Sequence, residues 1–455
     1  MMDTNQAMVP KPQSDGAGAW YMLGVLVVFG FFSYMDRQIT SLLVTPIQQD
    51  LGLTDLQIGM VQGIAFSAVY AVAGIPIGWA VDRYSRRSIL WAGLTLWSCA
   101  TLAAGFSRSF THLFGARLLV GAGEAALSPA AYSLIAARFR RDRLGLVFAI
   151  YTMGSVVGGA MALTLGGAMI DAVGATGTVD LPLLGALRGW QFVLILAGLP
   201  GILAALLSFT FKEPARAISG VSKQAPQTSH APSAPSADDL SAIAYMRQHP
   251  AFFLCHIGGF SLVGMIIYGM VAWMPTFFIR EYGWTISQVG SAIGAISAVS
   301  GTIGVFGGGF VVDWLYKRGH KDAPFSYYSV VVAIVVLTAP LAFLVHNSWL
   351  ALALLCLPKT GFTYAGVAAS ALQLAVPPAL RGRISATYLC ITGLAGIGLG
   401  PVVVGLLTDR LFADPSKLGA SLCVMILGLG PLAMLLFLIG RKAMRQAVTD
   451  CEARL

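Results

Sequence analysis

Apolar residues fill this chain in long stretches that short polar connections separate. A helix of roughly 20 residues crosses a bilayer core about 30 Å thick. Twelve stretches reach that length, and we number them spans 1 to 12: 20–44, 56–81, 88–106, 110–136, 144–170, 189–211, 250–279, 286–314, 326–345, 349–375, 384–409 and 418–440. The pattern predicts an all-α membrane protein with twelve transmembrane helices.

The composition excludes a soluble protein of this size. Hydrophobic residues make up 56% of the chain and charged residues only 11%, with a mean hydropathy of +0.75, whereas soluble domains carry about 25% charged residues. The net charge of +9 does not indicate nucleic-acid binding, because the basic residues lie in short connections between apolar stretches. Five of the six cysteines lie in apolar stretches and none forms a CxxC pair, so we expect no metal, cofactor or disulfide.

The distribution of basic residues predicts the orientation of the spans. Of the 29 lysines and arginines, 21 lie in the termini and the even-numbered connections, five in the odd-numbered connections and three within spans. Basic residues concentrate on the cytoplasmic side of a membrane, so both termini are expected in the cytoplasm. The short connections favour a bacterial inner membrane.

Polar segments divide the chain into five parts. They are a polar tail at 1–19 without the apolar core of a signal peptide, a helical bundle at 20–212, a linker at 213–248, a second bundle at 249–440 and a tail at 441–455. The linker is rich in Ala, Ser and Pro, which is typical of a flexible cytoplasmic segment. Within it, residues 236–248 are predicted to form a short amphipathic helix that Ser236 caps.

The second half of the chain repeats the first. Six residues recur 231 positions later: Gly52, Thr54, Gln57, Gly59, Gly78 and Asp82 match Gly283, Thr285, Gln288, Gly290, Gly309 and Asp313. Three glycines recur 239 positions later: Gly154, Gly159 and Gly166 match Gly393, Gly398 and Gly405. A parallel repeat of six helices predicts two pseudo-symmetric bundles with a solute site between them near the middle of the bilayer.

The connection between spans 2 and 3 contains a recognisable sequence motif. It contains Gly78, Asp82, Arg83, Arg86 and Arg87 in the pattern G-x-x-x-D-R-x-x-R-R, and a partial copy with Gly309 and Asp313 lies between spans 8 and 9. Both resemble the signature of the major facilitator superfamily, G-x-x-x-D-R-x-G-R-[RK], which implies that superfamily's fold and transport by alternating access.

We interpret these residues as a latch that closes the cytoplasmic face when the transporter opens outward. Gly78 allows close helix packing, and Asp82 can cap a neighbouring helix or pair with an arginine. The alternative is that the charges only set the topology. Ser85 stands where the signature has a second glycine, which leaves the geometry of the turn open because side chains disfavour left-handed turns.

Five ionisable residues lie within spans, where they are costly and usually functional: Asp36, Arg37, Arg117, Glu124 and Lys359. A helix rise of about 1.5 Å per residue places Asp36 and Arg117 at similar depth, and Glu124 shares a helix face with Arg117. We expect Asp36 and Glu124 to compete for Arg117 and to carry protons as the bundles rock. Arg117 and Arg37 are the candidates for a gating salt bridge. The alternative is a static ion pair between spans 1 and 4.

Motifs in spans 1 and 4 also resemble those of a narrower group of transporters. Two motifs resemble those of the Spinster transporters of lysolipids and sphingolipid phosphates: Tyr34-Met35-Asp36-Arg37 in span 1 and Arg117-x-x-x-Gly121-x-Gly123-Glu124-Ala125 in span 4. In the first motif, Ser33 replaces the group's usual Asn. The resemblance implies a lipid-like substrate and gives Asp36, Arg117 and Glu124 the coupling and gating roles. The organic anion–cation symporters share looser forms of both words, and Pro129 fits them, so the subfamily stays open.

The favoured function is a proton-coupled transporter of an amphiphilic anion that acts as a monomer. Lys359 is a candidate to attract the anionic head group, with outward snorkelling as the alternative, and Tyr268, Trp273 and Tyr364 are candidates to line the cavity. A symporter of small carboxylates or sugar acids is the second hypothesis.

An enzyme or receptor is disfavoured because the chain has no GxSxG or GxxxxGK[ST] motif and no large soluble part. Paired halves argue against a channel.

Overall fold

A computed structural model describes residues 16–140, 143–174, 177–181, 185–214, 242–361 and 364–454. The first bundle consists of α1 (Ala17–Leu42), α2 (Val44–Leu51), α3 (Asp55–Gln62), α4 (Ile64–Arg83), α5 (Arg86–Ala104), α6 (Phe110–Glu124), α7 (Leu127–Arg138), α8 (Leu144–Val173) and α9 (Gly189–Ala205). Between α8 and α9 lies an antiparallel hairpin of β1 (Thr178–Leu181) and β2 (Gly185–Arg188).

The second bundle follows the short helix α10 (Ala242–Gln248). It consists of α11 (Pro250–Tyr282), α12 (Ile286–Lys317), α13 (Ala323–Leu344), α14 (Ser348–Thr360), α15 (Tyr364–Ala375), α16 (Pro378–Gly393), α17 (Gly400–Leu406) and α18 (Leu418–Glu452). Buried apolar side chains fill the interior of each bundle, and a third cluster extends from one bundle to the other.

Where the structure describes them, all twelve predicted spans are helical. Within the described residues, eleven helical stretches are long and apolar enough to cross a membrane. The remaining predicted span is span 3, which corresponds to α5. This helix is 19 residues long and more polar, and it packs against both α6 and α9. The prediction of an all-α membrane protein is therefore confirmed.

Three features differ from the predicted boundaries. The last helix, α18, continues to Glu452 through most of the predicted tail. The linker helix α10 begins at Ala242 among the described residues, and the predicted cap Ser236 lies outside them. The short helix α2 and the β-hairpin occupy connections for which no structure was predicted, since the apolar pattern reports only on the spans.

The repeat has a physical basis at the start of spans 2 and 8. Gly52 and Gly283 end the preceding helices with φ angles of 65° and 64°, a left-handed conformation that favours glycine. Two residues later, Thr54 and Thr285 each form a capping box with the glutamine three residues further on. The repeated Gly, Thr and Gln therefore have the same structural role in both halves.

The two ends of the molecule differ in how closely the bundles approach. We call the end with the β-hairpin the hairpin face, and the end with Glu213 and the C-terminal part of α18 the linker face. At the hairpin face, a Cβ on Gly59 would lie 2.6 Å from the Pro401 carbonyl oxygen, and one on Gly167 would lie 2.8 Å from the Ser287 Cα. Only glycine allows such close backbone contact, so the hairpin face is closed.

At the linker face the bundles stand apart. A Cβ built on Gly74 or Gly78 in α4, or on Gly307 or Gly309 in α12, would meet no atom within 4 Å. The hydrogen bonds and ion pairs that we find between the bundles, within the described residues, all lie at the hairpin face. The space between the bundles therefore opens toward the linker face.

Several spans are interrupted near the seam between the bundles. Span 2 breaks at Gly63, and span 4 breaks directly after Glu124. Span 11 contains π-helical turns at Leu394–Leu399 and Leu407–Phe412, a feature that is frequent at functional sites. The interruption in span 4 places Glu124 at the last position of α6.

Candidate substrate and coupling site

Four of the five ionisable span residues come together in the first bundle. Arg117 Nη2 on α6 donates a hydrogen bond to the Asp36 backbone oxygen on α1 at 3.4 Å. Asp36 Oδ2 accepts a second hydrogen bond from the Thr101 hydroxyl on α5 at 3.1 Å. Asp36, Arg117 and Glu124 are only 2%, 6% and 1% exposed. The structure thus places the predicted residues in one buried cluster.

The partner of Glu124 is Arg37 rather than Arg117. Glu124 Oε2 accepts hydrogen bonds from Arg37 Nε and the Ser33 hydroxyl, both at 2.8 Å, and forms an ion pair with Arg37 Nη2. Ser33 and Arg37 are four residues apart and share one face of α1, whereas Asp36 points toward α5. An exchange of Arg117 between two carboxylates is therefore not the arrangement in this state.

Each carboxylate of the cluster keeps one oxygen without a partner. Asp36 Oδ1 and Glu124 Oε1 are buried and accept no hydrogen bond from the described protein atoms. Buried polar atoms are normally paired because desolvation without compensation is costly. The cluster therefore contains two buried carboxylate oxygens that the described protein atoms leave without a partner.

Arg37 is the most exposed of the four residues in the cluster. Its side chain is 21% exposed, whereas that of Glu124 is fully buried. The guanidinium carbon lies 4.3 Å from the ring centre of Phe66 and 5.4 and 5.5 Å from those of Tyr34 and Tyr70. These distances suit cation–π contacts. Arg37 thus presents a positive charge within an aromatic wall, and the three rings were not predicted as site residues.

The second bundle adds tyrosines to this region. Tyr268 on α11 lies within electrostatic reach of Arg37, Tyr34 and Tyr364. Tyr364, the first residue of α15, lies within reach of Tyr34 as well. Tyr34 itself is 37% exposed although it is in the middle of span 1. Two of the predicted cavity residues therefore lie near the cluster.

Trp273 and Lys359 occupy other positions. Trp273 is completely buried, and its indole N–H donates a hydrogen bond to the Pro401 carbonyl at 2.9 Å. It holds α11 against α17 and does not line the cavity in this state. Lys359 is half-buried near the end of α14, and we find no ion pair or hydrogen bond to its side chain within the described residues. Its contact with an anionic head group remains a prediction.

Within the part of the chain that the structure describes, the contacts found for the signature residues at the linker face lie on the side of the first bundle. Asp82 and Asp313 are exposed, and Arg83 lies over the Trp79 ring at 3.9 Å within the first bundle. Since the bundles are apart at this face, the positions are those of a separated latch. The latch role itself stays a prediction.

Arg86 and Arg87 fasten the end of span 6 to the start of α5. Arg86 Nε donates to Glu213 Oε1 at 3.0 Å, and Arg87 Nη1 donates to the Phe211 carbonyl at 2.9 Å. The Ser85 hydroxyl donates to Glu213 Oε2 at 2.7 Å with a φ of −56°, so this position needs no glycine. Burial raises the pKa of Glu213, but hydrogen bonds from Ser85 and Arg86 outweigh it and hold the pKa below its ordinary value.

Comparison with known proteins defines the class. The family model described as Major Facilitator Superfamily matches residues 26–401. The chain belongs to this superfamily and is a multi-pass membrane transporter.

Individual relatives place the chain within the superfamily. An MFS-type efflux pump of Mycolicibacterium smegmatis is 28% identical over 100% of both chains. Protein spinster of Drosophila melanogaster is 26% identical over 91% of this chain and 67% of that protein. A hexuronate transporter of Bacillus subtilis is 27% identical over 85% of this chain and 87% of that protein.

A solved structure shares the fold over almost the whole chain. It is a bacterial homolog of the human lysosomal transporter Spinster in an inward-facing, unoccupied conformation, with a TM-score of 0.73 and 23% identity over 96% of this chain and 98% of that one. This likeness shows the shared fold. The relatives named spinster confirm the resemblance to the Spinster group that the motifs in spans 1 and 4 indicate.

Proposed function

We propose that this protein is a proton-coupled secondary transporter of an amphiphilic organic anion and that it works by alternating access. The observation that carries the proposal is the ion pair between Arg37 and Glu124 at the wall of the cavity. Because Arg37 is partly exposed and Glu124 is buried, an anion that enters the cavity meets Arg37 first.

Charge balance connects the anion to a proton. When all four groups are ionised, the two arginines of the cluster balance Asp36 and Glu124. An anion that binds Arg37 and displaces Glu124 leaves a buried carboxylate without its counter-ion, and uptake of a proton removes that cost. Release of the anion lets Arg37 return to Glu124 as the proton leaves. Asp36, which lies beside Arg117, is the second candidate to carry the proton.

The surroundings of Arg37 support an amphiphile over a small polar anion. Phe66, Tyr34 and Tyr70 pack around the guanidinium, and Arg117 is too buried to receive a ligand. A sugar acid has many hydroxyls that need polar partners, whereas an amphiphile needs one cation beside an apolar wall. The resemblance to the Spinster group, which implies a lipid-like substrate, agrees with this choice. The hexuronate and galactonate transporters among the relatives support small organic anions as the second candidate.

We infer that the linker face is cytoplasmic. It carries the termini and the even-numbered connections, which hold 21 of the 29 basic residues. The conformation with an open linker face is then inward-facing, and the expected location is a bacterial inner membrane. A cysteine placed at Arg454 and labelled by an impermeant maleimide only after cell lysis would support this orientation, and labelling of intact cells would overturn it.

Transport in proteoliposomes tests the coupling. A pH gradient should drive substrate accumulation by the unmodified protein. Glu124→Gln should abolish this accumulation while substrate counterflow continues, because exchange needs no net proton movement, and Asp36→Asn should reduce it. Glu281→Gln alters an exposed carboxylate in the connection between spans 7 and 8 and is the matched control. Full gradient-driven accumulation by both cluster variants would refute the proposed coupling.

The same vesicles distinguish the two substrate classes. A lysophospholipid or a sphingoid phosphate should compete for transport at lower concentration than galactonate or a hexuronate. The reverse order would favour the small organic anions. The sign of the pH gradient that drives accumulation reports whether the proton and the substrate move in the same direction, as the charge balance above requires, or in opposite directions.

A further inference from the structure

A serine on α1 supports Glu124 from the same helix that carries its arginine partner. The Ser33 hydroxyl donates a hydrogen bond to Glu124 Oε2 on α6 at 2.8 Å. Arg37, which lies one helical turn further along α1, donates to the same oxygen through Nε at 2.8 Å and through Nη2. Several donors therefore converge on Oε2, whereas Glu124 Oε1 accepts no hydrogen bond from the described protein atoms.

The two residues that donate to Glu124 differ in how they respond to an anion. The Arg37 side chain is 21% exposed and charged, whereas Ser33 is neutral and only 5% exposed. In the proposed cycle Arg37 moves to the anion, and Oε2 loses both hydrogen bonds from the guanidinium. Among the donors found within the described residues, Ser33 is then the one that stays beside the carboxylate.

A hydroxyl can hold this carboxyl group in both of its protonation states. The Ser33 O–H donates to the ionised carboxylate, and the Ser33 oxygen can accept a hydrogen bond from the protonated acid. Glu124 takes its proton from water in the cavity when Arg37 leaves, and it returns the proton when Arg37 comes back. The hydrogen bond to the ionised form is the stronger of the two, so the hydroxyl favours that form and delays protonation to lower pH.

We propose that Ser33 is the positioning residue for proton uptake by Glu124. It keeps the carboxyl group in place while Arg37 binds the anion, and it sets the pH range in which the proton is taken up. This inference rests on the proposed coupling of anion binding to Glu124 and adds the residue that tunes it.

The other charged and titratable groups of this region keep their side chains when Ser33 is replaced. Within the described residues, those in electrostatic reach of Glu124, of Arg37 or of the tyrosines beside Arg37 are Tyr34 and Asp36 on α1, Tyr70 on α4, Arg117 on α6, Tyr132 on α7, Tyr151 on α8 and Tyr268 on α11. From α5, the Thr101 hydroxyl donates to Asp36 Oδ2. Thr101 is therefore the corresponding hydroxyl on the second carboxylate of the cluster.

Calorimetric titrations in two buffers of different ionisation enthalpy measure how many protons the protein takes up per anion bound. The probe is lysophosphatidylglycerol, because its phosphodiester keeps a constant negative charge, whereas a phosphate monoester titrates at about pH 6. We expect the unmodified protein to take up a proton on binding within a limited pH window, and Glu124→Gln to take up none. Ser33→Ala should move this window upward by about one pH unit, because the ionised carboxylate loses a donor. Ser33→Thr keeps a hydroxyl and should return the window toward its original position.

Two further variants separate this role from general damage to the cluster. Ser41 is a buried serine on the same helix whose hydroxyl donates to the Gln38 backbone oxygen at 2.7 Å, so Ser41→Ala should leave the window in place. Thr101→Val removes the donor to Asp36 and should move the window less than Ser33→Ala does.

The outcomes distinguish the role of Ser33 from the coupling itself. An unchanged window in Ser33→Ala would overturn the role of Ser33 and leave the coupling intact. An equal or larger shift in Thr101→Val would also overturn it, because the proton would then reside on Asp36. If the unmodified protein bound the probe without proton uptake, or did not bind it, the proposed function would fail and this inference with it.

Discussion

Arg37 and Arg117 lie in one cluster but occupy different environments. Arg37 is partly exposed to the cavity and donates to Glu124 through both Nε and Nη2, whereas Arg117 is buried against the backbone of α1. We expect Arg37→Lys to raise the KM for the anion at least about tenfold, because an ammonium cannot reproduce the planar two-point contact. Arg117→Lys should change the KM by less than about twofold and mainly lower the thermal stability, since it breaks a buried contact.

Transport assays over a range of substrate concentrations measure this difference, and thermal unfolding in detergent provides the second quantity. An equal increase in KM for both variants would mean that the anion does not select Arg37. In that case the cation–π contacts of Arg37 with Phe66 and Tyr34 would serve packing alone.

The sequence predicted the members of the cluster but not how they pair. The cost of placing Asp36, Arg117 and Glu124 in lipid was enough to predict that they meet inside the protein. The choice between Arg37 and Arg117 as the partner of Glu124 depends on helix rotation, because adjacent residues point about 100° apart. The spacing of residues along the chain predicts their depth in the membrane well, but it predicts the direction of each side chain around the helix axis poorly. Ser33 donates to Glu124, but in the sequence it stands out only because it departs from the Spinster motif.

At the scale of helices, glycines determine how closely the two bundles approach. A side chain at Gly290 would meet the backbone of Leu163 across the seam, whereas a Cβ at Gly428 on the peripheral helix α18 would meet no atom within 4 Å. We expect Gly290→Val to prevent closure of the hairpin face and Gly428→Val to leave it unaffected. The distance between spin labels on cysteines introduced at Thr111 and Ser416, at the hairpin face, measures both effects in a background without the native cysteines. A closed face in Gly290→Val would show that the seam tolerates a displacement of α8.

The junction of span 6 and α5 gives a pH prediction. The hydrogen bonds from Ser85 and Arg86 hold the pKa of Glu213 below 4.5, so the ionised carboxylate stabilises the folded state above about pH 4.5. This contribution is lost as the pH falls through the lower pKa of the folded protein. Glu213→Gln should therefore lower the Tm at pH 7 and have a smaller effect near pH 3.

Thermal unfolding across that pH range checks the prediction, with Glu281→Gln as the control because Glu281 is exposed. The quantity to compare is the difference in Tm between each variant and the unmodified protein, since other carboxylates also titrate. A difference for Glu213→Gln that stays constant from pH 7 to pH 3 would contradict the assigned role of this carboxylate.

The elements themselves were predictable because apolar length and repeated caps are local signals. The capping boxes at Thr54 and Thr285 follow from three-residue spacings. The ion pair between Asp55 and Arg280 joins residues 225 positions apart, and in the sequence both looked like ordinary charges in connections. Their contact depends on how two bundles dock, which no local pattern records.

At the scale of the whole molecule, the two faces should oppose each other in a single equilibrium. Arg280 of the second bundle donates to Asp55 of the first bundle at the hairpin face, a contact that favours the closed form of that face. We expect Asp82 of the latch to hold the linker face closed in the opposite state. Asp55→Asn should therefore favour opening at the hairpin face, and Asp82→Asn should favour opening at the linker face. Asp82 is exposed in the present state, so its substitution should act on the other state alone.

The double variant tests this reciprocity directly. Effects on one equilibrium from well-separated sites add as free energies, so Asp55→Asn together with Asp82→Asn should give a population between those of the two single variants. Spin-label distances at both faces measure this population, with the linker-face labels on cysteines introduced at Ser88 and Lys317. Gradient-driven transport should recover partly because neither state is favoured strongly. If Asp82→Asn shifted the hairpin-face distance in the same direction as Asp55→Asn, the two faces would not be coupled through rocking of rigid bundles. Alternating access requires that the two substitutions shift the population in opposite directions, because the Asp55 ion pair favours closure of one face and the latch favours closure of the other.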